Sequence, residues 1–195
     1  MPRLPLLPAE PEDDDVAAVF EVFGREGRAP IALYRVLAHH PSLLRSYSVL
    51  ARGLRNDAAT PRRLRELVIL RTAQLTGSEY EWAHHRAMAE KAGVTREQLA
   101  ALPRWEGSDA FDEDERAALR MAEEVHSLGV TDESFAALRD RLGPAGSLEV
   151  VLTAGFYEAV ARVIQALDVE LEPEYRPYLA DPSREGEADT TSGGG

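Results

Sequence analysis

One stretch of the sequence places ionisable and aromatic side chains at helical spacing. Glu81 and His85 are four residues apart beside Trp82, so a helix would bring the carboxylate and the imidazole to one face. Tyr80 and His84 form a second pair with the same spacing on the adjacent face. In an apolar setting the carboxylate raises the pKa of the imidazole, while desolvation raises the pKa of the carboxylate and lowers that of the imidazole. Such a pair can exchange a proton near neutral pH, so this face indicates acid–base chemistry.

Spacing alone leaves two other interpretations of these residues open. Glu81 follows Ser78 by three residues, the pattern of a capping box, and the pair with His85 would then lie on an ordinary solvated helix. A metal site would use Glu81, His85 and Glu66, but the sequence has no His-Glu-x-x-His signature, and we predict no metal. The chain has no cysteine and no Gly-x-Ser-x-Gly elbow, so neither a thiol nor a serine triad is indicated.

The elements that would position these residues are helices. Segments between residues 13 and 180 show 3.6-residue periodicity, and none shows the alternation typical of strands. We therefore predict an all-α fold with a single domain over 13–180, an extended N-terminal arm over 1–12 and a disordered tail over 181–195. Helices are predicted over about 14–23, 30–40, 41–54, 61–76, 79–92, 96–102, 112–127, 131–142 and 146–167.

Composition and charge narrow the partners and the compartment. The net charge is −12, and no segment is rich in Lys and Arg, so nucleic acid is not expected as a partner. No apolar run approaches the ~20 residues that cross a bilayer, and the proline-rich start does not match a signal peptide. These features predict a cytoplasmic protein without a membrane partner.

Residues 63–71 and 77–85, followed by Ala89 and the segment 93–95, resemble the carboxymuconolactone decarboxylase family, which includes the AhpD-type alkylhydroperoxidases. The core of the resemblance covers about residues 60–105, and its Tyr-Glu-Trp-x-x-His form is fairly specific. It implies an AhpD-like helical bundle built from helical hairpins that pack across subunits. A homo-oligomer is therefore expected, as a dimer, trimer or hexamer.

The resemblance also bears on the chemistry. The family's peroxidase branch uses a glutamate, a Cys-x-x-Cys pair and a histidine, which correspond by position to Glu66, to Ser78 and Glu81, and to His85. Both sulfurs are absent, so no thiolate is available to attack a peroxide and no thiol peroxidase activity is expected. The Glu81–His85 pair is closer to the lactone decarboxylase branch, which works without cysteines.

Together these features predict a cofactor-free acid–base enzyme, a carboxymuconolactone decarboxylase-like lyase, that acts on a small carboxylate or lactone substrate. In this hypothesis His85 donates or accepts the proton, Glu81 orients His85, and Glu66 completes the relay. The candidate substrate contacts are hydrogen bonds from the side chains of Tyr80 or His84, a carboxylate contact from Arg71, and stacking on Trp82 and Tyr157. An arginine on a helix is more often solvated or salt-bridged, and Trp82 and Tyr157 fit the core of the protein better than stacking on a substrate. The alternative is a non-catalytic oligomeric binding or scaffold protein, in which the pair would be sealed inside the protein with every polar atom paired.

Overall fold

The computed structural model describes residues 2–24, 29–56 and 58–180, and the predicted tail over 181–195 lies outside the described residues. Residues 2–12 contain no helix or strand. The all-α prediction is confirmed, because the described ranges contain helices and no strand. The α-helices are α1 (Asp14–Gly24), α2 (Ala32–Leu37), α3 (Pro41–Asn56), α4 (Arg62–Thr76), α5 (Glu79–Lys91), α6 (Arg96–Ala101), α7 (Glu113–Ser127) and α8 (Asp132–Leu167). Two 3-10 helices span Leu102–Gly107 and Pro173–Leu179.

Two of the differences from the predicted helix boundaries have a clear structural cause. Helix α4 begins at Arg62 with Pro61 in the capping position, because the Thr60 hydroxyl donates to Glu149 Oε1 at 2.6 Å instead of capping the helix. The helices predicted over 131–142 and 146–167 form one element, α8, with a kink at Gly143. Gly143 has φ 68° and ψ 176°, a conformation that essentially only glycine adopts, and this residue changes the direction of the chain.

Helix α4 lies at the centre of the bundle and contacts α5, α7 and α8. Leu67 and Leu70 pack toward α6 and the first 3-10 helix, while Leu64 and Val68 pack toward α7 and α8. A helix surrounded in this way buries nearly its whole circumference, including Glu66, which is 0% exposed. A carboxylate at such a position needs charged or hydrogen-bonding partners, because an unpaired buried charge is strongly unfavourable.

The long helix α8 is an exception to the prediction that no segment is long and apolar enough to cross a membrane. Its most apolar 18 residues have a mean hydropathy of 1.4, and 44% of that window is buried inside the protein. A core helix of a soluble protein passes the same test of length and composition. In this structure α8 packs along α4 and α7 as a core helix.

The segment after α8 returns across α5. Arg86 on α5 donates through Nη1 to the carbonyl oxygens of Tyr178 and Ala180, at 3.2 and 2.6 Å. The Tyr175 ring lies against the His84 ring with 3.7 Å between centroids. These contacts place Glu172 beside α5, where it forms part of the candidate site.

Candidate active site

The central feature of the site is a buried hydrogen bond between α4 and α5. His85 Nδ1 lies 2.8 Å from Glu66 Oε2, and Arg62 Nε donates to Glu66 Oε1 at 2.6 Å. Burial alone would raise the pKa of Glu66, but the charges and hydrogen bonds of His85 and Arg62 outweigh it and lower that pKa. Burial lowers the pKa of His85 despite the neighbouring Glu66. At neutral pH the pair is therefore a carboxylate and a neutral imidazole.

This pairing decides which nitrogen of His85 can react. An ionised carboxylate only accepts hydrogen bonds, so the proton of the neutral imidazole is on Nδ1 and is donated to Glu66. Nε2 then carries a lone pair, and no group in the described ranges hydrogen-bonds to it. His85 is thus held in the tautomer of a general base.

The predicted role of Glu81 as the partner of His85 is corrected by the structure. Ser78 Oγ accepts the Glu81 N–H at 3.4 Å, which confirms Ser78 as the helix cap, but the Glu81 carboxyl group does not complete a capping box. Both of its oxygens are buried without a hydrogen-bond partner in the described chain. Burial raises the pKa of Glu81 to about 8, the nearby Ser78 hydroxyl lowers it, and the charge of Glu158 raises it further. Glu81 is therefore a protonated acid at neutral pH.

A cavity of about 500 Å³ reaches both groups. Its wall includes Glu81, His85 and Tyr157, with the Tyr157 ring edge-on to the His85 ring at 4.8 Å between centroids. The Tyr157 hydroxyl is buried and has no hydrogen-bond partner within the described residues. Residues that carry a base, an acid and a hydroxyl group therefore line one cavity, and its volume lies in the range typical of small-molecule sites.

Tyr80 and His84 also line the cavity, but both bind a residue that the sequence did not point to. The Tyr80 hydroxyl donates to Glu172 Oε1 at 3.1 Å, and His84 Nε2 lies 2.9 Å from Glu172 Oε2. Burial raises the pKa of Glu172, but hydrogen bonds from His84 and from the Ala32 N–H outweigh it and lower that pKa. The Tyr80 hydroxyl and His84 Nε2 are thus occupied by a carboxylate. Glu172 lies in a segment without periodicity, so no sequence signal could have found it.

The substrate contacts considered for Arg71 and Trp82 are not found, because neither residue lines the cavity. Arg71 donates through Nε to Glu123 Oε1 at 2.8 Å and through Nη1 to Gln74 at 2.9 Å. Trp82 packs against the apolar cluster between α4 and α6. The physical reason is helical geometry: five residues separate Arg71 from Glu66, which turns it about 140° away from Glu66 at 100° per residue.

Sequence reasoning missed Arg55, which lies at the end of α3 and lines the cavity with Tyr34 and Tyr47. A signal was present, because Tyr47, Ala51 and Arg55 follow four-residue spacing on one face of α3. A tyrosine and an arginine on the face that also carries buried Ala51 were a sign of a polar cavity wall.

The search for a metal site gives a separate result. No three His, Asp or Glu side chains in residues 2–24, 29–56 and 58–180 come together as a metal-binding group.

Comparison with known proteins finds one family that resembles the segment carrying the site. Residues 41–124 match the model of the Carboxymuconolactone decarboxylase family, and this segment contains Glu66, Glu81 and His85. Over this segment, which is less than half of the chain, the protein is similar to that family. Among curated proteins, the uncharacterized protein YdfG of Bacillus subtilis is 29% identical over 94 residues. That match covers 47% of this chain and 64% of YdfG, so it spans less than two thirds of the relative.

Several solved structures have a similar fold. An AhpD-core peroxidase-related protein from Ralstonia eutropha JMP134 superposes with a TM-score of 0.76 at 20% identity, over 93% of this chain and 96% of that one. A peroxidase-related protein from Silicibacter sp. TM1040 gives 0.78 at 17% identity, over 92% and 96%. The debrominase Bmp8, solved as a Cys-to-Ala variant with 2,3,4-tribromopyrrole, gives 0.75 at 21% identity, over 87% and 91%. At these identities the similarity establishes the AhpD-like fold alone.

Proposed function

We propose that this protein is an acid–base enzyme that acts on a small carboxylate or lactone substrate, by decarboxylation or a related proton transfer. The observation that carries the proposal is that an unprotonated base and a protonated acid line the same cavity. His85 offers an unprotonated Nε2, and Glu81 offers a carboxylic acid one helical turn away. Two titratable groups whose environments separate their pKa values in this way are suited to be base and acid.

The chemistry follows from these states. In an isomerisation, His85 Nε2 removes a proton from a carbon next to a carbonyl group, and Glu66 stabilises the imidazolium that forms. Glu81 then donates its proton to another carbon of the enolate. The starting states return when His85 releases its proton and Glu81 takes one up, directly or through solvent. In a decarboxylation, the C–C bond to the carboxylate breaks, its electron pair enters the conjugated carbonyl as an enolate, and CO2 leaves. Glu81 protonates the carbon and is reprotonated by a solvent proton that His85 Nε2 takes up and passes on.

The alternative of a non-catalytic scaffold is less favoured by the same contacts. A purely structural pair would be sealed, with its polar atoms bonded inside the protein. Here the cavity reaches His85, and the Glu81 carboxyl group is buried without a partner in the described chain. An unsatisfied buried polar group costs about 1–3 kcal/mol, a cost more typical of a functional site than of a scaffold. Because the chain supplies no thiol, the proposal includes no cysteine-dependent peroxidase activity.

The proposal extends to a cytoplasmic homo-oligomer. Large apolar side chains are exposed on α3, at Leu43 and Val49, and on α8, at Leu148 and Leu152. Exposed apolar surface on two helices supports association of subunits. Light scattering coupled to size exclusion tests this: a mass near 21.5 kDa would show a monomer and contradict it.

The function is tested by turnover and by substitution. Purified protein is incubated with carboxymuconolactone and a panel of small lactones and β-keto acids in 2H2O, and NMR follows substrate loss and deuterium incorporation. We expect His85→Ala and Glu81→Gln each to lower kcat by about 10²–10⁴, the usual contribution of a positioned acid or base. His126→Ala is the matched control, because His126 also pairs with a glutamate, Glu158, but lies outside the cavity lining. Unchanged turnover in the His85 variant would overturn the assignment.

A further inference from the structure

The cavity carries a positive charge that the acid–base chemistry does not use. Although the chain has a net charge of −12, the ionised groups on the described cavity wall are mainly cationic. They are Arg35, Arg52, Arg55 and Arg62 against Glu172 and Glu174, and the charge of Arg62 is paired with Glu66. We propose that Arg55, assisted by the Tyr157 hydroxyl, forms an anion-binding subsite that holds the carboxylate of a flat, unsaturated carboxylic acid. This inference rests on the proposed function and specifies its substrate class.

The main chain of Arg55 is held in place by two other arginines. Arg62 Nη1 and Arg65 Nη2 each donate to the Arg55 carbonyl oxygen at 2.9 Å. Arg65 is itself anchored to Glu149 Oε1 at 3.3 Å, and Arg62 also binds Glu66. The end of α3 is therefore tied to the same carboxylate that orients His85. With the backbone of Arg55 held in this way, only its side chain remains to be ordered when a ligand arrives.

The guanidinium group of Arg55 has unused binding capacity. Its Nη1 and Nη2 atoms both lie 3.4 Å from the Tyr34 hydroxyl, long for hydrogen bonds, and no carboxylate in the described ranges pairs with it. Burial lowers the pKa of Arg55, but the neighbouring phenol groups of Tyr34 and Tyr157 outweigh it, so the group stays cationic. A planar guanidinium binds a carboxylate through two parallel hydrogen bonds. The buried Tyr157 hydroxyl lies beside this guanidinium group and supplies a further donor.

The subsite faces the reacting groups. The charge of Arg55 contributes to the lowered pKa of His85, which places the two side chains within electrostatic reach across the same cavity. A carboxylate on Arg55 would bring the neighbouring carbons of the ligand toward His85 and Glu81. The Tyr34 and Tyr47 rings, 6.0 Å apart between centroids, and the Tyr157 ring line this region. Aromatic walls of this kind favour a flat carbon skeleton.

Binding of matched probes tests the subsite. Benzoate and 2-furoate, with benzamide and 2-furamide as neutral isosteres, are titrated into the full chain by calorimetry and saturation-transfer NMR. We expect each carboxylate to bind at least ~10-fold more tightly than its amide, a difference of ~1.4 kcal/mol. In Arg55→Met this preference should disappear, and Arg55→Lys should keep a reduced preference because the charge remains but the fork is lost. Arg71→Met is the matched control, since Arg71 lies outside the cavity.

The outcomes separate this subsite from the proposed function. Equal affinity for acid and amide in the wild type, or an unchanged preference in Arg55→Met and Arg55→Lys, overturns the subsite. If His85-dependent turnover of a lactone persists in that case, the proposed function still stands. If carboxylates bind through Arg55 but neither turnover nor deuterium exchange depends on His85, the subsite stands and the proposed function falls. Melting temperatures of all variants identify any that fail to fold, and Arg55→Lys then decides the result.

Discussion

Replacing Glu81 with glutamine should stabilise the protein, and more so as the pH rises. Burial raises the pKa of Glu81 from 4.5 to about 8, so between these values the folded state keeps a proton that the unfolded state has released. The folded state binds more protons in that range, so the free energy of unfolding falls as pH rises from about 4.5 and levels off above about 8. Glutamine has the same shape as the protonated glutamate and does not titrate. The substitution therefore removes this pH-dependent fall in the free energy of unfolding.

The size of the effect follows from the shift. Each pKa unit corresponds to about 1.36 kcal/mol, and water entry on ionisation reduces the full value, so we expect the stabilisation by Glu81→Gln to grow by ~2–4 kcal/mol between pH 5 and pH 8. Glu81 is only 3% exposed, so solvent screening is small. Urea unfolding at fixed protein concentration, at pH 5, 6, 7 and 8, measures the change.

The control and the refuting result are both direct. Glu79 lies on the same helix and is exposed, so Glu79→Gln should change stability by the same small amount at every pH tested. An equal effect of Glu81→Gln at pH 5 and pH 8 would mean that Glu81 is already ionised in the folded protein at neutral pH. In that case it cannot be the acid of the proposed reaction.

Three further predictions concern the reaction and the backbone. For a substrate found in the panel, kcat/KM plotted against pH should rise as His85 loses its proton, below the ordinary pKa of histidine, and fall above about 8 as Glu81 ionises; a profile that is flat from pH 5 to 9 would contradict both roles. Glu66→Gln should lower kcat by about 10²-fold or more with little change in KM, as measured by steady-state kinetics. The same substitution should destabilise the fold by ~3 kcal/mol in urea unfolding, because Arg62 loses its buried ionic partner. Gly143→Ala should cost ~1–3 kcal/mol of unfolding free energy, since Gly143 has φ 68°; a thermal midpoint equal to that of the wild type would show that the kink tolerates a side chain.

Much of the site could be anticipated from spacing, but its pairings could not. Periodicity and the family resemblance pointed to Glu66, Glu81 and His85, and the structure brings all three to one region. Spacing favoured a Glu81–His85 contact because residues four apart on a helix are neighbours. In the folded protein His85 instead meets Glu66 from the adjacent helix, since the packing of α4 on α5 decides where the imidazole finds a partner.

Arg71 and Arg55 show that the sequence alone could not identify which arginine lines the cavity. Arg71 lies in a segment of the family resemblance, yet its helical phase turns it toward Glu123 and away from the cavity. Arg55 lies outside that core match, yet the packing of the end of α3 places it on the cavity wall. Which arginine can meet a ligand depends on which helix faces are brought together, and a sequence pattern specifies the faces of one helix at a time.

By itself, the sequence determined the helical content, the Ser78 cap, the absence of any thiol chemistry in this chain and the residue types available for proton transfer. These follow from local spacing and composition, which act over a few residues. Only the tertiary structure decided that Glu81 is a neutral acid, that His85 is a neutral base held by Glu66, and that Glu172 occupies Tyr80 and His84. Protonation states depend on burial and on charges from distant segments, and these exist only once the chain has folded.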